Sequence, residues 1–430
     1  MKRLKTAFTV LFAVFAMSTA VYADTDFNAQ TGELKLSGTL TVGEVSTYAD
    51  NAAVKSVKTS GNTVFPKDCS YMFYNFKAES MDFTGADTSA VTDMNTMFAG
   101  CDNLRLLNVG DFNTANVENM SYMFTSCYAL ETLDISNFDT RNVTTIKHMF
   151  SDMHSLKSLD LSTFLTSKVN SMSYAFANCH KLKTLDISNF NTENTEDMEG
   201  MFNQCYSLES LDLGSFKTQN TVYMNQMFCG CKSLKTLDVT NFNTSNVTSM
   251  SSMFEDCFSL ENIDLSSFDT SKVTYMNSMF EGCRKLKSLD LSNFDRTNCR
   301  KGESSMFSGC YRLESLTIGE KYYNITRNAQ LPNRTTGWAV SGSDTKISGT
   351  SQNAYITNTG KTTYVKLPEE ILYGDVDLDN VVMDDDALLL LQYLSGTAKL
   401  DEGQLNAAKI TDHTKAKPDI LDVIKIIRTT

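Results

Sequence analysis

Acidic residues at alternating positions near residue 380 carry the sharpest chemical signal in this chain. Asp375, Asp377 and Asp379 fall at positions 1, 3 and 5 of a twelve-residue loop, with the Val381 carbonyl at position 7 and Asp386 at position 12. Calcium takes six to eight hard oxygen ligands, and carboxylates alternating on a tight loop turn several oxygens toward one point. The spacing predicts a calcium site. Asn380 stands at position 6, where glycine is usual, and is the next residue best suited to a left-handed turn. Met383 at position 9 offers no oxygen to a bridging water. The run ALLLLQYL predicts a helix that starts at Asp386 and ends at Ser395-Gly396.

A second acidic stretch, LNAAKITDHTKAKPDILDVIKIIR, occupies residues 405–428. Lys409 stands where the first loop has its leading aspartate, two extra residues intervene before Asp422, no glycine is present, and Pro418 interrupts the run. Asp412, Asp419 and Asp422 are its remaining candidate ligands. The expectation is a loop without calcium, braced by Lys409 as a built-in cation.

Catalytic signatures are missing. The chain has no GxSxG, HExxH or phosphate-binding loop, and its four histidines are residues 148, 154, 180 and 413. A glycosidase-like pair of carboxylates is the one enzymatic alternative kept open. Cys229-Gly230-Cys231 alone is a weak zinc signal, because zinc needs convergent ligand pairs.

The elements that must position these groups are set by a repeat. A Met-Phe pair recurs at Met72, Met97, Met123, Met149, Met201, Met227, Met253, Met279 and Met306, with Ala175-Phe176 filling the one gap and a period of 26 residues almost throughout. The working consensus is N-V-T-x-M-x-x-M-F-x-x-C-x-x-L-x-x-L-D-L-S-x-F-x-T. Met250, Met253, Phe254 and Cys257 lie at i, i+3, i+4 and i+7, one face of a short helix. Asn246 and Thr248 ahead of it are candidate caps. Leu260, Ile263 and Leu265 follow, the last two alternating like a short strand. One unit is too small to bury its own apolar face, and stacking lets neighbours share a core and a parallel sheet.

Columns follow from the stacking. Cysteines 101, 127, 179, 205, 231, 257, 283 and 310 share one slot, taken by Met153 in the remaining rung, and read as core thiols rather than disulfides. Cys299 aligns with the Val247 and Val273 column, whereas Cys69 and Cys229 fall outside the pattern. Asp134, Asp160, Asp186, Asp212, Asp238, Asp264 and Asp290 form an outward column flanked by hydroxyls. It reads as a solvated ladder, or as a shallow site for cations or a basic partner. That face has no aromatic ring on which a sugar could stack.

A third column follows the cysteine slot. Basic rungs alternate there with aromatic-plus-acidic ones, placing Glu209 between Lys183 and Lys235 and Phe258 between Lys232 and Arg284. Cross-rung pairing is one reading. A ligand-contact stripe of Tyr128, Tyr206, Phe258 and Tyr311 is the other.

Composition bounds the partners. The formal net charge is −13, and an acidic chain repels phosphate backbones, which argues against nucleic acid. Residues 1–23, with a basic start, an apolar run and Val21-Tyr22-Ala23, read as a secretory signal peptide. The expectation is a secreted, extracellular chain that does not span a membrane. Its expected parts are a signal peptide (1–23), an N-terminal cap (24–70), a solenoid (71–310), a β-rich C-terminal cap (311–367) and a terminal module (368–430).

Over about residues 65–320 the MFxxC and LxxLDLSxF words resemble the BspA-type leucine-rich repeat surface proteins of bacteria, although Phe242, Phe268 and Phe294 stand where common leucine-rich repeats place Asn. The resemblance implies an α/β leucine-rich-repeat-like solenoid of about ten rungs, a parallel sheet plus short helices. The terminal segment, with YGDVDLDN, DALLLLQYLSG and DILDVIKIIR, resembles a type I dockerin, a small α module with EF-hand-like loops. That likeness implies calcium and a cohesin partner on a scaffold protein, as in a cellulosome. Positions 10 and 11 of the loops, Asp384 and Asp385 in the first half and Ile420 and Leu421 in the second, are then the cohesin contacts. Together these imply a secreted, non-catalytic recognition or adhesion protein whose solenoid binds a protein or cell-wall ligand. The alternative is a carbohydrate-active enzyme for polysaccharide degradation on the same frame.

Overall fold

The computed structural model describes residues 24–299, 302–333, 337–350, 352–367, 374–378, 382–409 and 417–429. Asp379, Asn380, Val381 and Asp412, named above as loop residues, lie outside these.

The repeat builds a β-solenoid. Its core runs unbroken from Leu34 to Tyr364 and contains every Met-Phe phenylalanine from Phe73 to Phe307. These rings stack rung on rung, 5.7–5.8 Å apart between Phe202 and Phe280 and within 11° of parallel.

The Met-Phe segment is not the helix that its spacing predicts. Each copy is two consecutive tight turns closed by left-handed residues, for example Thr96 and Gly100, or Ser252 and Asp256. A helix needs successive amides to bond four residues back. Here alternate amides leave the rung: Thr96, Phe98 and Gly100 donate to Ser121, Met123 and Thr125 of the next one at 2.8–2.9 Å. The amides between them close locally, Met97 on Met94 and Cys101 on Phe98. Turns that recur every four residues send i, i+3, i+4 and i+7 inward just as a helix does, and Met250, Met253, Phe254 and Cys257 are all buried. Asn246 and Thr248 are not helix caps either. The Asn246 carboxamide donates to the Gln219 carbonyl at 2.8 Å and the Thr248 hydroxyl to the Val222 carbonyl at 3.4 Å, both on the preceding rung.

The parallel sheet forms at the two ends. Near the N-terminus, β1 (Asp24–Asn28) pairs antiparallel with β2 (Glu33–Ser37), the short helix α1 (Val42–Ser46) follows, and β3 (Ser56–Thr59), β4 (Ser80–Asp82) and β5 (Leu106–Asn108) continue in parallel. Near the other end β6 (Ser288–Leu291) lies parallel to β7 (Ser315–Ile318). Between them the Leu-Asp-Leu segments are extended but joined only by scattered bonds, such as Lys157 to Glu131 and Glu209 to Lys183. The second phenylalanine column is spaced accordingly, 6.4–6.5 Å from Phe216 to Phe294, wider than the 4.7–4.9 Å of paired strands. A parallel bridge ladder instead steps from Asp68 through Asp93, Asn119 and each later rung to Tyr275.

Threonine supplies what the missing strands do not. Thr88, Thr114, Thr140, Thr166, Thr192, Thr218, Thr244 and Thr270 are all buried. The Thr192 hydroxyl donates to the Lys217 carbonyl at 3.0 Å and accepts from the Lys217 amide at 2.8 Å, and its neighbours do the same. Asn137 reaches back to two carbonyls of the preceding rung, and Asn189, Asn241 and Asn293 to three each.

Antiparallel strands close the C-terminal end of the solenoid. β8 (Asn324–Ile325) and β10 (Ile356–Thr357) pair, and β11 (Thr362–Lys366) lies between β7 and β9 (Trp338–Val340), removing the exposed parallel edge. Beneath them Arg296 and Glu303 form a buried ion pair at 2.8 Å. The terminal segment has its own small core of Val376, Ala387, Leu390, Ala408, Val423 and Ile426, held by α2 (Asp384–Leu394), α3 (Glu402–Ala407) and α4 (Ile420–Thr429).

Candidate functional site

The carboxylates of Asp375, Asp377 and Asp386 converge, with one oxygen of each within 4.8 Å of the others. The turn at Val376–Leu378 brings the first two together, and left-handed Leu378 (φ 61°) reverses the chain there. Asp386 comes from the first turn of α2, which begins at Asp384 rather than at Asp386 and ends at Ser395 with left-handed Gly396 behind it. Its oxygens accept from the amides of Val376, Asp377 and Met383 at 2.6–3.0 Å. Burial raises its carboxyl to about 6, and the nearby Asp377 charge adds to this. An all-oxygen cluster of acids that repel one another suits a hard divalent cation, whose charge would reverse that shift.

The second half repeats the geometry in part. Asp422 is buried at the start of α4 and accepts from the Asp419 amide at 2.8 Å, as Asp386 does from Met383. The Lys409 ammonium donates to the Asn406 carboxamide at 3.0 Å. Among the described residues only the first loop gathers three acids. Of the four residues at loop positions 10 and 11, Asp384, Ile420 and Leu421 are exposed and Asp385 is half-buried. Leu388, Leu391 and Leu394 on α2 and Ile424 on α4 are also exposed.

On the solenoid the aspartate column is already engaged. The carboxylates of Asp134, Asp160, Asp186, Asp238, Asp264 and Asp290 each accept the amide two residues on, at 2.8–3.1 Å. The Ser136, Ser188 and Thr240 hydroxyls also donate to them. These bonds hold Asp134, Asp160, Asp186, Asp238 and Asp264 below the usual carboxylate range. The column caps its own turns.

All eleven cysteines are free. Each thiol of the main column donates to a phenylalanine carbonyl of the rung before, Cys127 to Phe98 at 3.3 Å and Cys257 to Phe228 at 3.2 Å among them. Burial pushes Cys127 and Cys205 up to about 12, which makes them inert as nucleophiles and metal ligands. Cys69 belongs to this core after all, in the column of Met94 and Met120, with its thiol on the Pro66 carbonyl. Cys229 is half-buried beside Glu255 and Asp256.

The column after the cysteine slot is a continuous half-buried stack with Tyr128 exposed at one end. Tyr128 lies 4.8 Å from His154, His154 4.4 Å from His180, and His180 4.4 Å from Tyr206. Lys232 then sits over both Tyr206 and Phe258, and Arg284 covers the far face of Phe258. Tyr311 follows, half-buried. Alongside run the ion pairs Lys157–Glu131, Lys183–Glu209 and Lys287–Glu261. Most ring faces of the expected ligand stripe are thus covered by cross-rung partners, and Tyr128 is the exception, at one end of its stack.

Sequence reasoning missed a groove at that end. Tyr71, Tyr74, Tyr122 and Tyr128 line a depression of about 570 Å³ floored by Thr96, Ala99 and Gly100. Its signal was available in the columns: small residues of one rung between aromatic residues of the rungs on either side.

The family model described as "Mycoplasma protein of unknown function, DUF285" matches residues 67–181, 152–238 and 228–330, the whole run of turns that carries these ladders. The chain belongs to the DUF285 family. Its leucine-rich, BspA-like repeat words are those matched segments. Among solved structures, a leucine-rich repeat protein from Eubacterium ventriosum is 15% identical, covering 67% of this chain and 92% of its own, with a TM-score of 0.26. The structure titled a TLR13–ssRNA13 complex is 14% identical over 65% of this chain and 46% of its own, TM-score 0.22. A leucine-rich repeat protein from Leptospira interrogans is 15% identical over 62% and 79%, TM-score 0.21. No curated protein matches the chain. Among the described residues no helix is long and apolar enough to cross a membrane.

Proposed function

We propose that this DUF285 chain is a secreted, non-catalytic recognition protein, in which the solenoid is a rigid binding frame and the terminal module attaches it to a cohesin-bearing scaffold when loaded with calcium. The observation that carries the attachment is the convergence of Asp375, Asp377 and Asp386 at the start of α2. In this reading the Asp379 carboxylate and the Val381 carbonyl complete the ligand set. Calcium supplies the positive charge that lets three acids share one corner, and so fixes α2 against α4. Ile420 and Leu421, exposed on α4, and Asp384 and Asp385 on α2 then present the docking face, Asp385 giving up its ion pair with Arg284 at 3.8 Å.

The recognition half is supported by the chemistry of the solenoid. Its aspartates recur as turn caps and its thiols as core donors, so neither column offers the singular acid, base or nucleophile that catalysis needs. The test is calorimetry on the full chain with calcium chloride, followed by capture on immobilised type I cohesins with and without EDTA. One tight calcium site, abolished by Asp375→Ala with Asp386→Ala, and EDTA-sensitive capture are expected. Two tight sites would overturn the calcium-free second loop, and capture that ignores EDTA would overturn the docking role. Release of reducing sugar from polysaccharides would favour the enzymatic alternative.

A further inference from the structure

The groove at the start of the solenoid has the features of a built ligand site. Two ring stacks end there. One runs Tyr174–His148–Tyr122 at 4.8 and 4.6 Å, the other Tyr206–His180–His154–Tyr128. On the next rung toward the N-terminus their columns hold Thr96 and Asp102, so the last ring of each stack borders the groove rather than another ring. Across the gap stands Tyr71, in the same column as Thr96 and Tyr122 and braced edge-on by Tyr74 at 5.7 Å. Tyr71 and Tyr122 are two rungs apart, about 10 Å at ordinary strand spacing. That leaves room for one ring held on both faces at about 4 Å each.

Polar groups sit between these walls. Gly100 lies on the floor with φ +73°, and a Cβ there would meet the Asn75 carboxamide oxygen at 2.0 Å, so glycine is what lets Asn75 lean over the floor. Among the described residues, neither the Asn75 carboxamide nor the hydroxyls of Tyr71, Tyr74, Tyr122 and Tyr128 make a hydrogen bond within the chain. Lys77 closes one end, paired with Asp102 at 3.3 Å and with Asp50 at 3.7 Å. The walls are rigid because each ring is stacked or edged from behind, which lowers the ordering cost of binding.

We propose that this groove binds a neutral hexose or pentose unit of a polysaccharide, sandwiched between Tyr71 and Tyr122, with Asn75 and the tyrosine hydroxyls hydrogen-bonding its hydroxyl groups. Flat aromatic faces suit the C–H faces of a pyranose, and amide and phenol groups suit its rim. Lys77 is already paired to two carboxylates, which disfavours an acidic ligand. The site names a ligand class for the binding frame proposed above and is independent of the calcium module, so either proposal can fail alone.

The test is titration of the full chain with cellohexaose, xylohexaose and mannohexaose, after screening on a broad glycan array. Binding to at least one neutral glycan is expected, weakened at least tenfold by Tyr71→Ala and by Tyr122→Ala. Asn75→Ala should weaken it as well, and Tyr275→Ala, an exposed tyrosine far along the solenoid, should leave it unchanged. Thermal midpoints report that each variant is folded. No binding across the array, binding indifferent to both tyrosine substitutions, or a groove filled instead by proline-rich peptides would each overturn the assignment.

Discussion

Imidazole stacked on imidazole is the least ordinary contact on the surface of this solenoid. His180 lies flat on His154, and burial together with that neighbouring ring pushes its titration below the usual histidine value, while burial does the same to His148. An unfolded histidine titrates near pH 6.5. Because the folded values are depressed, the unfolded chain takes up protons first, so stability is full above about 6.5 and falls as pH drops through that value toward the folded ones. Urea midpoints at pH 8, 6.5 and 5 should decline in that order, and His148→Phe with His180→Phe should flatten the slope. A slope unchanged by these substitutions would show that the rings do not carry it. The aspartate caps respond in a separate window. Their values are also depressed, so their contribution persists above about pH 3.9 and is lost only as pH falls through the folded values.

Within a rung, the decisive element is the threonine that closes the turn after the second phenylalanine. Thr192 satisfies both the amide and the carbonyl of Lys217 from a fully buried position. Thr192→Val keeps the shape and leaves both groups unmet, a cost of about 1–3 kcal/mol. Thr192→Ser keeps the hydroxyl and should recover most of it, as read from urea unfolding. Equal losses in the two variants would mean that packing, not the hydrogen bonds, holds the site. The sequence made this column visible, since a residue at a fixed place in every unit has one environment, and for the same reason the thiol core and the Lys183–Glu209 and Phe258–Arg284 contacts were legible. The helix misread has an equally local cause. Met250, Met253, Phe254 and Cys257 fit two backbones that bury the same side chains, and periodicity alone does not separate them. The separating signal lay in the neighbouring columns. Gly100, Gly230, Gly282 and Gly309 share one position with Asn75, Asn178 and Asp256, and these are the residues that tolerate a left-handed backbone. The groove was hidden for another reason: Tyr71 and Tyr122 meet a ligand only across a rung, and a consensus averages away the rung that differs.

At the scale of the whole molecule, a stack of nearly identical turns gains stability from interfaces rather than from single rungs, so its ends decide how it unfolds. The C-terminal end is sealed by Arg296 and Glu303, both buried, with the Tyr322 ring 4.9 Å from the guanidinium and the Thr326 hydroxyl donating to Glu303. Burial raises the Glu303 carboxyl, and Arg296 opposes that rise. Removing one partner strands a charge in the core, so Arg296→Met or Glu303→Gln should each cost about 3–5 kcal/mol. Replacing both together, Arg296→Met with Glu303→Leu, should recover much of that loss because no charge is left unpaired. The thiol ladder supplies the readout. Without reductant, the folded chain should react with a thiol reagent chiefly at half-buried Cys229, and all eleven thiols should react once it unfolds. In the single variants Cys299, whose carbonyl accepts from Arg296, and Cys310 should become reactive at lower urea than Cys127 near the other end. Simultaneous exposure of the three would show instead that the solenoid melts as one unit and that its end is not where unfolding begins.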